Sequence, residues 1–188
     1  MTGGVGTAGR LPGHDADLAA RARALRFLSL DVDGVLTDGR LYYTDGGEEL
    51  KAYSVLDGLG IKLLQEAGVE VALVTGRSSR NVVLRAANLG VARVLQGVSD
   101  KLAATDAIRA GLGLDWSVCG HMGDDLPDLA LMLRCGFSAT VPAAPEYVRS
   151  RARYVTRAGG GEGAVREVAD YVLHAKGLLS AAIARHAG

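Results

Sequence analysis

Short, largely apolar runs occupy residues 25–30, 69–74, 91–95, 116–122 and 136–141. Strands covered on both faces read as continuous apolar runs rather than as alternating ones. Between these runs, residues 58–67, 78–89, 101–112 and 126–133 carry apolar positions at three- and four-residue spacing, the period of a helix with one buried face. Strands alternating with helices predict βαβ units, and so an α/β fold with a largely parallel sheet and helices on both sides. One segment breaks the alternation. Residues 40–44 and 48–53 flank Asp45-Gly46-Gly47, whose glycines suit the positive φ angles of a tight hairpin turn, so a β-hairpin is predicted over about 40–53. The tail, residues 163–185, has a helical pattern with a candidate break at Gly177.

The length, 188 residues, suits one domain. Residues 1–24 read as a flexible leader leading into a helix start, and residues 25–188 as the single domain. With 48% hydrophobic and 22% charged residues, the chain can fill a core and does not resemble a disordered segment. A formal net charge of zero removes the basic footprint of a nucleic-acid binder. The two cysteines, Cys119 and Cys135, sit in apolar runs and form neither a disulfide framework nor a zinc spacing. No apolar stretch reaches the ~20 residues that span a bilayer, and the Gly-rich leader has no apolar h-region. The expected setting is the cytoplasm, with neither a membrane nor a nucleic acid as partner.

Four polar clusters stand at or just beyond the C-terminal ends of predicted strands, the edge where open α/β sheets bind ligands. They are Asp31-Val32-Asp33-Gly34, Thr75-Gly76-Arg77, Ser99-Asp100-Lys101 and Gly123-Asp124-Asp125-Leu126-Pro127-Asp128. A carboxylate fixed by a strand can act as a nucleophile. A second one two residues on can reach the same cleft if the chain turns at Gly34, and can protonate a leaving oxygen. A dianionic phosphate enters such an acidic pocket only with a cation, and hard carboxylate oxygens suit Mg2+. A lysine and a hydroxyl complete the set that phosphoryl transfer requires. Each cluster alone is a weak signal; the four together, each at a strand end, are a strong one.

Three other readings fail on spacing. An EF-hand loop needs an acidic residue at its fifth position and Gly at its sixth, but Gly34 stands fourth and Val35 fifth. A dinucleotide fingerprint after Gly58-Leu59-Gly60 needs a third glycine where Leu63 stands. A receiver domain would place its acidic pair on the first strand, whereas Asp124-Asp125 follows Thr75 and Lys101.

The clusters resemble the four motifs of the haloacid dehalogenase superfamily. At closer range DVDGVLTDG, LDGLGIKLL, VTGR, GVSDK, GDDLPD and YVT resemble the 3-deoxy-D-manno-octulosonate 8-phosphate phosphatase family, over residues 25–176. The resemblance implies a three-layer Rossmann-like, capless phosphatase, since no insert beyond the hairpin separates the first two motifs. It implies Asp31 as nucleophile, Asp33 as general acid and base, and Thr75 and Lys101 as phosphate holders. Magnesium would be bound by Asp31, the Asp33 carbonyl and Asp124, supported by Asp125. Gly76, Arg77 and Arg85 would contact substrate. Arg77 and Arg85 share a helix face with Asn81, a geometry suited to a sugar-acid carboxylate. The resemblance also implies a homotetramer, its hairpins associated and the Gly-rich stretch 159–163 reaching toward a neighbouring site. An isolated hairpin is marginal in water, which favours the same assembly. Three positions depart from the family pattern: Leu56 and Glu162 each replace an arginine, and His121 occupies a usually apolar or aromatic position, where it reads as a partly buried core histidine. The first two leave open a nonulosonate 9-phosphate or another sugar phosphate as substrate. A non-catalytic oligomerisation or binding relative is the other class of function.

Overall fold

The computed structural model describes residues 16–187. Six parallel strands form the central sheet: β1 (Phe27–Leu30), β4 (Glu70–Val74), β5 (Arg93–Leu95), β6 (Cys119–Met122), β7 (Phe137–Thr140) and β8 (Tyr154–Val155). Their spatial order is β5-β4-β1-β6-β7-β8. β1 therefore lies at the point where the winding reverses, and its carboxyl end opens into the crevice that such a reversal creates. Every residue of β1, β6 and β7 is buried, as the continuous apolar runs predict.

Strand side chains alternate between the two faces. Leu28 and Leu30 join a core with Ile61 and Leu64 of α2 (Val55–Glu66) and Val165 and Val168 of α7 (Ala164–Ala175). Phe27 points the other way, into a second core with Cys119, Leu131 and Cys135 that borders α4 (Lys101–Gly111) and α5 (Leu129–Arg134). Two cores on opposite sides of one sheet make the predicted three layers. The polar members of this second face, Ser29 and His121, are register partners on β1 and β6.

Helix starts carry side-chain caps. Ser54 accepts from Leu56 and Asp57 N–H at the head of α2, Ser79 from Asn81 N–H at α3 (Arg80–Leu89), and Asp100 from Ala103 N–H at α4. Each satisfies a backbone donor that the first turn leaves free. The tail pattern resolves into α7 and α8 (Leu179–Ala187), broken at Gly177.

Two features differ from the sequence reading. The helix α1 (Ala16–Ala24) buries Leu18 and Ala22 in the first core. Arg23 Nε donates to Ala175 O and Lys176 Nζ donates to Arg23 O, so the packed body extends back to Ala16 and not only to Leu25. The leader before Ala16 lies outside the described residues. β8 and the short α6 (Glu146–Arg149) were not anticipated, because two- and four-residue elements carry too little periodicity. The hairpin is present but short, with β2 (Tyr42–Tyr43) against β3 (Glu49–Leu50).

Asp57 joins the two helices of the first core. It is buried, its Oδ1 accepts Arg166 N–H at 2.8 Å and its Oδ2 accepts Gly163 N–H at 3.3 Å. Burial pushes this carboxyl up from its ordinary range, against the backbone donors of Arg166 and Gly163. The carboxylate caps α7 from a neighbouring helix. Asp57→Ala is expected to lower stability by about 1–3 kcal/mol, the cost of orphaned buried donors and a lost cap. Urea denaturation followed by circular dichroism checks this: the midpoint should fall with an unchanged slope, and an unchanged midpoint would contradict the capping role.

Candidate active site

The β1 ladder continues one residue past the strand, since Asp31 N–H donates to Met122 O at 2.9 Å. The Asp31 side chain is thereby aimed off the end of the sheet. Its Oδ1 accepts Val32 N–H at 2.7 Å, and its Oδ2 lies 2.9 Å from Lys101 Nζ. Lys101 is the first residue of α4, and its side chain is buried. The same ammonium lies 2.7 Å from Asp128 Oδ1. Thr75 follows β4 and is buried, held by its own N–H to Leu95 O and by Val98 N–H to Thr75 O. Asp124 follows β6 after Gly123. Gly34, at φ +86°, makes the turn that brings these groups together; a Cβ there would lie 2.0 Å from Asp124 Oδ2, so no side chain fits.

A cavity of about 480 Å³ opens over this edge, lined by Asp31, Asp33, Thr75, Gly76, Arg77, Lys101, Asp124 and Asp125 among others. Eight of the nine residues singled out from the sequence thus meet in one crevice. The exception is Arg85, which is absent from the lining. Its Nη2 donates to Ser54 O at 2.8 Å and Nη1 to Asn88 Oδ1 at 3.3 Å, and its guanidinium lies 5.6 Å from the Tyr53 ring centroid. Arg77 lies on the wall, with Nη2 donating to Glu49 Oε1 at 3.0 Å and to Tyr43 OH at 3.3 Å. Asp33 is ion-paired to Lys51 and lies 3.8 Å from Arg77 Nε. Its Oδ2 is buried and has no hydrogen-bond partner among the described residues.

The resemblance implies Asp125 as the support of the metal, but the acidic side chains that gather here are those of Asp31, Asp124 and Asp128. Carboxylate oxygens of Asp31, Asp124 and Asp128 lie within 4.8 Å of one another. Asp125 is exposed and turns aside, its Oδ1 accepting Leu126 N–H and Tyr147 OH. Asp128, not singled out from the sequence, is buried and filled by four donors: Lys101 and His121 on Oδ1, and the Asp124 and Asp125 N–H groups on Oδ2. Asp31 and Asp124 are thus the pair with lone pairs left for a cation, and Asp128 holds their surroundings. The only sequence signal for Asp128 was its place in the fourth cluster, four residues after Asp124.

Electrostatics follow from this crowding. Burial and the neighbouring Asp31 and Asp128 carboxylates push Asp124 up to about 7. Burial and Asp128 raise Asp31, opposed by Lys101. Asp128 is also buried, yet its bonds to His121 and Lys101 hold it well below the ordinary carboxylate range. Burial disfavours the Lys101 ammonium, but Asp31 and Asp128 outweigh it and raise the lysine. Asp124 accepts no hydrogen bond among the described residues and faces two carboxylates. A hard divalent cation relieves that repulsion, and the all-oxygen set fits magnesium.

No family model matches the chain. Over 167 residues it is 45% identical to 3-deoxy-D-manno-octulosonate 8-phosphate phosphatase KdsC of Escherichia coli (strain K12), covering 89% of each chain. The crystal structure of the Moraxella catarrhalis 3-deoxy-D-manno-octulosonate 8-phosphate phosphatase in complex with a magnesium ion, a phosphate ion and KDO matches with a TM-score of 0.90 and 40% identity, covering 92% of this chain and 99% of that one. A Legionella pneumophila structure described as a HAD superfamily (subfamily III A) hydrolase matches with a TM-score of 0.87 and 38% identity, covering 91% of this chain and 94% of that one. With an aspartate at the end of β1, a buried lysine and an acidic crevice on the haloacid dehalogenase-like fold, the chain is a phosphatase and belongs to the 3-deoxy-D-manno-octulosonate 8-phosphate phosphatase family.

Proposed function

We propose that the chain hydrolyses 3-deoxy-D-manno-octulosonate 8-phosphate through an aspartyl-phosphate on Asp31, with magnesium as cofactor. The observation that carries the reading is Asp31 at the end of β1, aimed into the crevice and held by Lys101 at 2.9 Å. In the first step Asp31 attacks phosphorus as the bond to the sugar oxygen breaks, and Asp33 gives that oxygen its proton. In the second, Asp33 takes a proton from water, whose oxygen displaces Asp31 and releases phosphate. The partnerless Oδ2 of Asp33 suits a carboxyl that must exchange protons with a group arriving from outside. Lys101, Thr75 and the backbone at Gly76 bind the phosphoryl oxygens. Asp31, Asp124 and the Asp33 carbonyl would hold magnesium, which when bound neutralises the incoming dianion.

The sugar carboxylate falls to Arg77, which lines the crevice and would exchange Glu49 for it. Arg85 instead braces Tyr53 and Ser54 at the foot of the hairpin. A nonulosonate 9-phosphate is the second substrate reading, and it draws on the paired departures. A Cβ on Gly163 would lie 3.8 Å from Leu56 Cδ1, so Leu56 lies close to the residue that follows Glu162. The proposed assembly is a homotetramer and the proposed setting the cytoplasm; Tyr43 and Leu50 of the hairpin, 59% and 52% exposed, support association of subunits through this element. The stretch at Gly160 and Gly161 packs against its own chain, Gly161 N–H donating to Val35 O at 3.0 Å.

Asp31→Asn should abolish turnover of 3-deoxy-D-manno-octulosonate 8-phosphate and of p-nitrophenyl phosphate with an unchanged circular dichroism spectrum; a folded variant of normal activity would remove the covalent route. Chelation should stop the reaction, magnesium restore it and calcium not. Because metal must displace the proton that Asp124 holds up to about 7, the magnesium concentration for half-activation should rise by up to about tenfold per pH unit below that value. A pH-independent requirement would contradict this ligand assignment. Arg77→Ala should weaken the sugar-acid phosphate more than p-nitrophenyl phosphate, by about 1.5–3 kcal/mol for a lost charged hydrogen bond. Arg85→Ala should affect both substrates equally, which steady-state kinetics will show.

A further inference from the structure

Beneath the crevice a chain of buried polar groups runs from the sheet to the nucleophile. Ser29 Oγ lies 2.8 Å from His121 Nδ1, His121 Nε2 lies 2.9 Å from Asp128 Oδ1, and that oxygen lies 2.7 Å from Lys101 Nζ. Lys101 in turn reaches Asp31. Ser29 and His121 are 0% exposed and Asp128 1%, so water cannot replace any link. We propose that His121 is a positioning residue for the phosphatase reaction: it aims the Asp128 carboxylate, and Asp128 sets where the Lys101 ammonium stands relative to Asp31.

The bonding pattern determines the histidine's orientation. An ionised Asp128 can only accept, so His121 Nε2 carries a hydrogen and donates it. The ring is kept in that orientation at its other nitrogen, because Ser29 Oγ meets Nδ1 and also lies 3.3 Å from Gly120 O. Strand register enforces the pair, since Ser29 and His121 are direct partners on β1 and β6. Asp128 Oδ2 is occupied by two backbone donors, so Oδ1 alone is shared between His121 and Lys101. Without the imidazole, Oδ1 has the lysine as its sole donor and holds it harder. Less of the ammonium is then available to Asp31 and to a phosphoryl group. An apolar side chain at position 121 would fill the volume but supply no donor.

The inference rests on the proposed roles of Asp31 and Lys101, and its test separates the two. His121→Gln places an amide N–H near the lost Nε2–H, whereas His121→Asn is too short to reach Asp128. With p-nitrophenyl phosphate and magnesium, His121→Asn and His121→Phe should lose kcat on the order of tenfold, the usual scale for groups that orient a catalytic shell, with KM nearly unchanged. His121→Gln should recover most of the loss. If one variant fails to fold, the comparison between the others decides. Equal kcat in the Asn and Gln variants, or wild-type kcat in a folded Phe variant, would overturn the proposal. Nitrogen-15 NMR of histidine-labelled, metal-free protein, assigned by difference against His121→Gln, tests the geometry without turnover. A protected Nε2–H is expected, and a ring with bare Nε2 would refute the aiming contact even if Asp31→Asn behaves as the covalent mechanism requires.

Discussion

Everything at the functional edge depends on one buried lysine shared by two carboxylates. Asp31 and Asp128 both lie within 3 Å of Lys101 Nζ, and the Asp124 carboxylate stands beside them, accepting no hydrogen bond among the described residues. Three carboxylates in a partly dry crevice repel one another strongly, and a single ammonium compensates only part of that charge. The remaining deficit makes the place attractive to a divalent cation and, once the cation is bound, to a phosphate dianion. The fold supplies the geometry at little cost in backbone strain, because β1 and β6 are adjacent, parallel and in register, so that Asp31 and the residues after Met122 leave the sheet side by side.

The same edge is tied to the opposite core through backbone contacts. Gly160 and Gly161 lie against the loop that carries Asp33 and Gly34; a Cβ on Gly160 would stand 1.9 Å from Gly34 O. The start of α7 just beyond them is pinned by Asp57 of α2. The packing of α2 on α7 therefore bears on the glycine stretch that lies against the Asp33–Gly34 loop. The link from Asp57 to the turn at Gly34 runs through main chain.

The layered fold was legible because its signal is periodic and long. The runs ending at Asp31, Thr75 and Met122 had to be strands buried on both faces, and the motifs had to emerge at their carboxyl ends. Most of the site was legible for the same reason: the motif residues sit at fixed offsets from strand ends. What escaped were contacts made across the fold. His121 reads as an apolar-strand intruder until the register sets it against Ser29 and the following turn brings Asp128 beneath it. Spacing suggests that Arg77 and Arg85 share a helix face, but α3 begins only at Arg80; Arg77 therefore stands in the loop after β4 and lines the crevice, whereas Arg85, on the helix, bonds to Ser54 O. Asp125 adjoins a ligand in sequence but faces Tyr147, since the turn into α5 rotates it away.

The hairpin bears on Asp33 as well as on any cover for the crevice. Lys51 at its foot pairs with Asp33 and lies 3.3 Å from Glu49 Oε1, and the same Glu49 oxygen accepts from Arg77. The Lys51 side chain is only 2% exposed, so its ammonium has these carboxylates in place of water. Asn81 also donates to Glu49 O at 2.8 Å, anchoring β3 to α3. In the proposed mechanism a substrate carboxylate would draw Arg77 away from Glu49, Glu49 would keep Lys51 as its cationic partner, and the pull on Lys51 from Asp33 would be divided. Arg77, proposed to recognise the sugar acid, and Asp33, proposed to exchange protons with the leaving oxygen, share one chain of charges. That chain runs through the hairpin, so on this reading the element that projects from the domain also connects the two proposed roles.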